Sequence, residues 1–300
     1  MTDPTPTDAN QAPPLPEGET LPDDPGPPTP LGSLTCHGAT FHFGHRVLRD
    51  FARDLSKCLT APLSQEVDIY VGVHTIRQVA PTGRPMIGIQ TEQILDSSGH
   101  RMWRAPNRRR RSSFAETYDI LLDLGADNGQ AYDFLPEDLR RKVRFGPHIF
   151  PDTELAPAYL DAPPLFFGSL NDRRRQMLDQ LKATRPVEVA RHGTFGRGLD
   201  ALLASHGAVL NLHYQDGEYS EFPRFLKACL AGKPFLSEPL SRPLLAGEHY
   251  LSPTDPLDAA RAERLFQSIQ TLAAGYRLRD FLETVIRAQG TAPTPATDPA

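Results

Sequence analysis

Short apolar segments that alternate with amphipathic segments are the feature that most restricts how this chain can fold. The apolar runs are rich in Val, Ile, Leu and aromatic residues, are bounded by turn residues, and occupy positions 67–73, 84–90, 118–124, 142–146, 164–169, 187–191, 208–214 and 234–238. Apolar residues recur at helical spacing in the segments 45–59, 172–183, 198–206, 220–232 and roughly 258–288. Such runs are typical of buried parallel strands, which need helical crossovers between them. The sequence therefore predicts an α/β fold with parallel sheets.

A proline-rich segment at 150–164 separates two of these alternating patterns. We therefore predict two domains, an N-terminal one over 34–149 and a C-terminal one over 150–288, each built from βαβ units. Residues 1–33 contain ten of the 30 prolines, six acids, no Lys or Arg and almost no large apolar residues. A segment of this composition cannot bury enough surface to offset its ordering entropy, so we predict disorder there and in the similar tail 289–300.

Composition and charge argue against several classes of protein. No run approaches the roughly 18 uncharged apolar residues that span a bilayer, and the N-terminus lacks the features of a signal peptide, so we expect a cytoplasmic protein. Three widely spaced cysteines, Cys36, Cys58 and Cys229, indicate reduced thiols rather than a disulfide framework or a zinc site. The net charge is -5, but outside the two predicted tails 30 acids face 32 bases. This balance does not suggest a duplex-binding protein, and it leaves room for a local basic site that binds a phosphorylated small molecule.

Three loops follow predicted strands in the second half of the chain. Ligands of open α/β sheets bind beyond the carboxyl ends of the strands, where helix N-termini offer free N–H groups. The loop 168–174 combines small residues with arginines and suits a diphosphate, although a solvated helix start explains it equally well. The glycine-rich loop 192–198 lacks a dinucleotide fingerprint and predicts a tight connection. Polar residues crowd the segment 211–224, where a strand ends and a helix begins.

Two of these regions resemble a known family. The segments AVLNLHYQDGEYSEFPRFLKACLAGKPFLSEPL and FFGSLNDRRRQML resemble the donor-binding region of GT-B glycosyltransferases, in particular the group-1-like family that includes spore-maturation CgeB-type proteins. Weaker similarity occurs in IGIQTEQIL, YDILLDLGADN and KVRFGPHIFP, so that the resemblance covers most of residues 66–245. It implies two Rossmann-like domains that face a cleft, and a nucleoside-diphosphate sugar held mainly by the second domain. It also implies that no metal or other cofactor is needed.

The resemblance assigns expected roles to individual residues of the second domain. The residues that it places against the donor diphosphate are Gly168, Ser169, Asn171 and Arg174. It places His213 and Arg224 along the cleft and puts Ser237 and Glu238 at the end of the last donor-side strand. Asn211 and Glu221 belong to the same polar region and are further candidates for donor binding, and His213 is also a catalytic candidate. Fixed cations near a departing diphosphate stabilise the transition state of glycosyl transfer, which agrees with these assignments.

Glu92 is the catalytic candidate of the first domain. It stands at the carboxyl side of the run IGIQTEQ, where a residue can face a cleft, and the resembled family has an acidic position in the same short segment. A carboxylate there can act as a general base or bind the acceptor. A glutamate that interacts with the dipole of its own helix is at least as good an explanation.

The chain departs from the family at two positions, and this leaves two hypotheses. Many related retaining enzymes carry two glutamates eight residues apart, whereas Tyr219 and Lys227 occupy those positions here. A lysine cannot accept a hydrogen bond from a ribose hydroxyl. The first hypothesis is a glycosyltransferase that uses a nucleoside-diphosphate sugar and an unidentified acceptor. The second is a catalytically silent module of the same fold that binds a glycan, a nucleotide or a protein.

Two other patterns have alternative explanations. The run 108–111, which consists of four arginines, suits RNA or another anion, but its flanks favour a solvated loop. His37, His42 and His45 lie near Cys36, but their spacing matches no metal motif, so an ordinary first strand and helix start are favoured.

Overall fold

The computed structural model describes residues 31–290 except 77, 97, 103 and 104. It shows a mixed α/β protein with two sheets and confirms the predicted fold class. Most of the two predicted tails lies outside the described residues. The first strand nevertheless begins at Gly32, and the last helix extends to Gly290, so a few residues at the inner edges of both tails are folded.

The first sheet has six strands in chain order. These are β1 (Gly32–Cys36), β2 (Ala39–Phe43), β3 (Val67–Val71), β4 (Met86–Gln90), β5 (Ile120–Asp123) and β6 (Val143–Phe145). Strands β1 and β2 form an antiparallel hairpin, and β2 to β6 are parallel. The helices of this part are α1 (Arg46–Lys57), α2 (Arg108–Thr117) and α3 (Glu137–Arg140), with 3-10 helices at Val73–Thr75 and Ala126–Tyr132.

The second sheet has four parallel strands in the order β8-β7-β9-β10. They are β7 (Leu165–Phe166), β8 (Glu188–Val189), β9 (Val209–Asn211) and β10 (Phe235–Ser237). The helices are α4 (Asp172–Lys182), α5 (Gly196–Ala204), α6 (Phe222–Leu230), α7 (Ala259–Ala274) and α8 (Leu278–Gly290). The chain places β8 on one side of β7 and β9 on the other. Loops that leave β7 and β9 therefore diverge and open a crevice at the carboxyl ends of these strands, the usual ligand position in such sheets.

Alternate residues of a strand point to opposite sides of the sheet, and on the inner strands β3 and β4 residues on both sides are buried. Ile69 and Ile87 join an apolar cluster with Phe51 and Leu55 of α1, while Tyr70 and Leu121 join a second cluster that includes Phe114 of α2. Continuous apolar runs such as 67–73 are therefore expected for these strands. The strands are shorter than the predicted segments, since their ends continue as loops that lead toward the site.

Helix α8 returns to the first sheet. Its Glu283 carboxylate accepts hydrogen bonds from the backbone N–H (2.9 Å) and the hydroxyl (2.5 Å) of Ser64. Its apolar residues Leu278 and Leu282 are buried in the cluster that also contains α1. The helix thus joins the part of the chain that contains the second sheet to the first. The predicted domain limits at 34–149 and 150–288 stay a prediction.

The prediction that the arginine run 108–111 lies in a solvated loop is wrong. The run forms the first turn of α2, where the side chain of Asn107 caps the helix by accepting a hydrogen bond from the backbone N–H of Arg110 at 3.0 Å. Arg111 is buried, and only the other three arginines are exposed. Among the described residues, no helix is long and apolar enough to cross a membrane.

Candidate functional site

We call the region that contains the first sheet the first part of the molecule and the region that contains the second sheet the second part. A cavity of about 390 Å³ lies between these two parts, beyond the carboxyl ends of β4, β7 and β8. From the first part, α1 and the loop after β4 contribute Val47, Leu48, Asp50, Phe51, Asp54, Thr91, Glu92 and Gln93. From the second part, the lining residues belong to the loops after β7 and β8, to the start of α4 and α5, and to the loop and helix around α6. Six predicted site residues line it: Glu92, Gly168, Ser169, Arg174, Glu221 and Arg224.

Gly168 lies where two guanidinium groups converge. Its φ is +131°, in the region that favours glycine, and a Cβ atom added there would lie 3.3 Å from Nη2 of Arg224 and 3.9 Å from Nη1 of Arg174. Burial, followed by the charge of Arg224, lowers the pKa of Arg174 to about 10. The two cations repel each other, the carboxylate of Glu221 at 2.9 Å from Arg224 offsets part of this repulsion, and an anion bound between the two arginines would offset more of it. The loop after β7 therefore combines open backbone space with two converging positive charges.

Arg174 is fixed by the protein backbone. Its Nε donates to the carbonyl oxygen of Leu212 at 2.9 Å and its Nη1 donates to the carbonyl oxygen of Ser169 at 2.8 Å. The guanidinium also lies over the rings of Phe166 and Tyr214, with Cζ 5.6 and 5.4 Å from the ring centroids. Arg174 thus braces the loops after β7 and β9, and this bracing accounts for its burial.

Asn171 acts on the same two loops without lining the cavity. Its Oδ1 accepts a hydrogen bond from the backbone N–H of Arg174 at 3.0 Å and so caps α4. Its Nδ2 donates to the carbonyl oxygen of Tyr214 at 2.6 Å. The structure therefore assigns Asn171 a cap and a loop contact, while its predicted contact with a diphosphate stays a prediction.

Arg224 is held by two side-chain acceptors. It donates to Oδ1 of Asn211 and, at 2.9 Å, to Oε2 of Glu221, and its guanidinium lies 5.5 Å from the centroid of the Phe167 ring. Asn211 is fully buried at the end of β9 and donates from Nδ2 to the hydroxyl of Ser237 at 2.8 Å. The predicted residues Asn211, Glu221 and Ser237 are thus linked to Arg224, and two of them set its position.

Glu238 and Ser237 lie outside this cavity and line a second one of about 410 Å³ beside α4. The Glu238 carboxylate is bound by Arg173 through two hydrogen bonds of 3.0 and 2.5 Å, and it accepts a third, of 2.6 Å, from the backbone N–H of His213. These contacts fix the start of the loop after β9. A direct contact of Glu238 with the donor stays a prediction.

His213 is fully buried, so it is not itself among the cavity-lining residues. Its Nδ1 lies 2.9 Å from the carbonyl oxygen of Gly217, an acceptor, so Nδ1 carries a proton. Its Nε2 is buried without a hydrogen-bond partner among the described residues. Burial lowers the pKa of the ring, which favours the neutral form with a free lone pair on Nε2. The ring packs edge-on against Tyr219, which does line the cavity, at 4.9 Å between centroids.

Glu92 faces the cavity from the first part of the molecule, and His74 stands beside it. Oε1 of Glu92 lies 3.5 Å from Nε2 of His74, and the hydroxyl of Thr91 donates to the same oxygen at 3.4 Å. Burial lowers the pKa of His74, although the charge of Glu92 opposes that shift. Glu92 belongs to a loop that does not enter a helix, since α2 begins only at Arg108, so the helix-dipole explanation of this residue is wrong.

His74 was missed at the level of sequence. It follows β3 as Glu92 follows β4, and the carboxyl ends of these neighbouring parallel strands meet at one edge of the sheet. That relation between two consecutive apolar runs was a usable signal.

Two carboxylates of α1 meet the second part of the molecule at the other side of the cavity. Oδ2 of Asp50 accepts a hydrogen bond of 2.7 Å from the backbone N–H of Gly196, the first residue of α5. Oδ1 of Asp54 lies 2.8 Å from the ammonium of Lys227, which also lies 3.1 Å from Asp200. Helices α5 and α6 therefore cover the side of α1 that carries these two acids.

The histidines of the first hairpin make ordinary contacts. Nε2 of His42 lies 2.7 Å from Oδ1 of Asp68, and its ring stacks on Tyr70 at 4.6 Å. His37 occupies the turn between β1 and β2. Within the described residues, no group of three or more His, Cys, Asp or Glu side chains is arranged to hold a metal ion. That the protein needs no metal stays a prediction.

Comparisons with known proteins yield only remote structural matches. No protein-family model and no curated protein sequence matches this chain. Thirty-four solved chains match its structure. One is a TarM mutant of S. aureus in complex with fondaparinux, alpha-GlcNAc-glycerol and UDP, with 9% identity over 83% of this chain and a TM-score of 0.37. Another is a GtfA/B complex bound to UDP and GlcNAc, with 10% identity over 74% of this chain and a TM-score of 0.32.

This chain spans little more than half the length of those two structures, covering 57% and 56% of them. Membership of the CgeB-type family stays a prediction, as does the cytoplasmic location.

Proposed function

We propose that this protein is glycosyltransferase-like and binds the diphosphate of a nucleoside-diphosphate sugar in the cavity between its two parts. The observation that carries the proposal is the convergence of Arg174 and Arg224 beside Gly168, at the point where the strand order of the second sheet reverses. Backbone without a side chain, two guanidinium groups and a helix start are the features that bind diphosphates in α/β proteins.

The same arrangement suits the chemistry of sugar transfer. When the bond between sugar and diphosphate breaks, negative charge grows on the leaving group, and cations that are already in place stabilise that transition state without reorganisation. Arg174 is held by two carbonyl oxygens and Arg224 by Asn211 and Glu221, so both are preorganised. We assign Arg224, which reaches the cavity from α6, the direct contact with the diphosphate.

Glu92 is placed to act on the acceptor. It lines the cavity from the first part of the molecule, whereas the arginines line it from the second. A carboxylate there can accept the proton of an acceptor hydroxyl, and the neighbouring imidazole of His74 can hold that carboxylate in position.

Lys227 favours a second candidate function, a module that binds the same ligand without catalysis. Its ammonium is occupied by Asp54 and Asp200 and is buried. The residue at the position of the second family glutamate is therefore committed to a structural contact, and a donor ribose gains no acceptor from it.

Two experiments test the proposal and separate the two functions. The first is a thermal-shift panel of UDP, GDP, ADP, CDP, dTDP and their sugar conjugates with the full chain. A ligand at about 100 times its dissociation constant stabilises a fold by about 2.7 kcal/mol, which is a measurable shift. We expect stabilisation by nucleotides of one base. If none of them stabilises the protein, a nucleotide site in this cavity is contradicted, and a silent module that binds a glycan or a protein is the hypothesis that is left.

The second experiment measures release of the nucleoside diphosphate from the conjugate that stabilises best. A glycosyltransferase hydrolyses its donor slowly when water replaces the acceptor. We expect Glu92→Gln to lower this rate by at least about tenfold while the thermal shift persists. A shift without release in the wild-type protein would instead indicate the silent module.

A further inference from the structure

The proposed function uses the charged groups of the cavity and leaves its apolar side chains without a role. Val47 and Phe195 line the same cavity as Glu92. Among the large apolar side chains of the described residues, Val47 is the most exposed, at 51%. An exposed apolar side chain on an open surface is ordinary, but one in the wall of a cavity is covered when a ligand with an apolar group binds.

Phe195 is a half-buried aromatic residue that stands directly before α5. It belongs to none of the apolar clusters that the described buried residues form, and it makes no ring contact or cation–π contact with another described residue. Aromatic side chains bury a large apolar area and normally pack within a core or against a ligand. The ring of Phe195 is therefore available to a ligand in the cavity.

A contact between the two parts of the molecule brings Val47 and Phe195 together. The first residue of α5, which follows Phe195, donates its backbone N–H to Oδ2 of Asp50 at 2.7 Å. Asp50 lies about one helical turn after Val47, on the same face of α1. Phe51 and Leu199 also line the cavity and belong to one apolar cluster. The name apolar wall is used below for four residues: Val47, Phe51, Phe195 and Leu199.

The apolar wall begins at the sheet edge that carries Glu92. Helix α1 follows β2, His74 follows β3 and Glu92 follows β4, and the carboxyl ends of these three parallel strands are neighbours. Burial lowers the pKa of His74, and the nearby charge of His45, the capping residue of α1, contributes to the shift. Val47 is two residues further along the chain than His45. The apolar wall therefore extends from the carboxylate that is proposed to act on the acceptor.

We propose that the acceptor is an aromatic alcohol whose ring packs between Val47 and Phe195 while its hydroxyl lies next to Glu92. This inference rests on the proposed function, because it names the acceptor of that reaction. The hydroxyl oxygen bonds to the sugar, its proton passes to Glu92, and the bond between sugar and diphosphate breaks with its electron pair on the diphosphate. A cavity of about 390 Å³ suits a small molecule rather than a folded partner.

The test uses 2-naphthol, a fluorescent aromatic alcohol, as the probe for the full chain. The variant Val47→Ser/Phe195→Ser removes two side chains of the apolar wall. The matched control, Leu160→Ser/Leu245→Ser, removes two exposed apolar side chains that lie outside this cavity. We expect the dissociation constant of 2-naphthol to rise at least about tenfold in the variant and to change by less than about twofold in the control.

A second readout tests whether the bound alcohol is an acceptor. We expect saturating 2-naphthol to accelerate release of the nucleoside diphosphate from the donor conjugate by at least about fivefold in the wild-type protein, because a bound hydroxyl replaces water. The nucleotide thermal shift should stay intact in Val47→Ser/Phe195→Ser. Val47→Ser alone changes an exposed position and should weaken 2-naphthol binding in the same direction, which separates loss of contact from loss of folding.

Four results would overturn the proposal. The first two are absence of 2-naphthol binding to the wild-type protein and equal binding by the double variant. The third is binding without faster release in a protein that hydrolyses its donor in water. The fourth is loss of the nucleotide thermal shift in the folded double variant, which would indicate that the nucleobase occupies the apolar wall. If 2-naphthol binds to a protein that no nucleotide stabilises, the proposed function fails while the apolar wall remains an aromatic-binding site.

Discussion

The buried carboxyl of Asp123 makes the stability of the fold depend on pH. It lies fully buried at the end of β5, where burial raises the pKa of its carboxyl to about 7, although hydrogen bonds from Tyr132, Asn128 and Gly125 oppose the shift. The ordinary pKa of an aspartate is about 3.9. Between these two values the folded protein holds a proton that the unfolded chain has released. The contribution of this carboxyl to stability is therefore full below about pH 4 and is lost as the pH rises to about 7.

We predict that Asp123→Asn removes this dependence. The amide is neutral at every pH. From pH 5 to pH 8 the free energy of unfolding of the wild-type protein should therefore decrease relative to that of the variant. Urea unfolding at four pH values measures it, with the exposed Asp138→Asn as the control. Parallel profiles for wild type and Asp123→Asn would show that the carboxyl titrates normally.

Individual site residues were predictable where they lie in a loop that directly follows a predicted strand. Gly168, Ser169 and Arg224 follow from the loops after predicted strands, and the structure places all three at one cavity. The pairing of His74 with Glu92 was predictable only by assuming that the consecutive apolar runs 67–73 and 84–90 form neighbouring strands, which the structure shows for β3 and β4. The bracing of Arg174 by the carbonyl of Leu212 could not be foreseen, because it joins loops 38 residues apart.

Helix α1 shows the limit of periodicity at the scale of an element. Its apolar stripe predicted the helix and the face that packs on the sheet. The pattern did not reveal that α5 and α6 cover the polar side of the helix, where Asp50 and Asp54 lie. The prediction of a loop at the arginine run 108–111 was wrong for a related reason. Helix α2 has little apolar periodicity, so the capping residue Asn107 was the remaining sequence signal for the helix.

The contact between α1 and α6 leads to a prediction about Lys227. Burial disfavours its charge, but Asp54 and Asp200 outweigh that effect, so the pKa of Lys227 lies above its usual value. Lys227→Met should destabilise the protein by about 3 kcal/mol, because it leaves the buried Asp54 with only the more exposed ammonium of Lys57, at 3.4 Å, as a cation. Urea unfolding measures this. The double variant Asp54→Asn/Lys227→Met should recover much of the loss, and the exposed Lys182→Met serves as the control.

If Lys227→Met lowers the free energy of unfolding by less than about 1 kcal/mol, the ion pair between Asp54 and Lys227 contributes no more than a surface ion pair does. It would then also follow that α1 and α6 are held together mainly by their apolar contacts.

At the scale of the whole molecule, the cavity is lined by residues from both the part with the first sheet and the part with the second. The first sheet supplies α1 and the loop after β4, and the second supplies its strand-end loops and α6. Alternating apolar and amphipathic segments predicted the two strand-and-helix patterns. The return of α8 to the first sheet could not be predicted, because its apolar stripe is compatible with either sheet.

The most direct test of the account is the dissociation constant of the nucleoside diphosphate that the thermal-shift panel identifies, measured by titration calorimetry. Arg224→Ala removes the cavity-facing guanidinium, and Arg175→Ala removes an exposed one from the outer face of α4. We predict that Arg224→Ala weakens binding about tenfold to hundredfold and that Arg175→Ala leaves it within about twofold of wild type. Equal binding by the wild-type protein and Arg224→Ala would contradict a diphosphate site in this cavity.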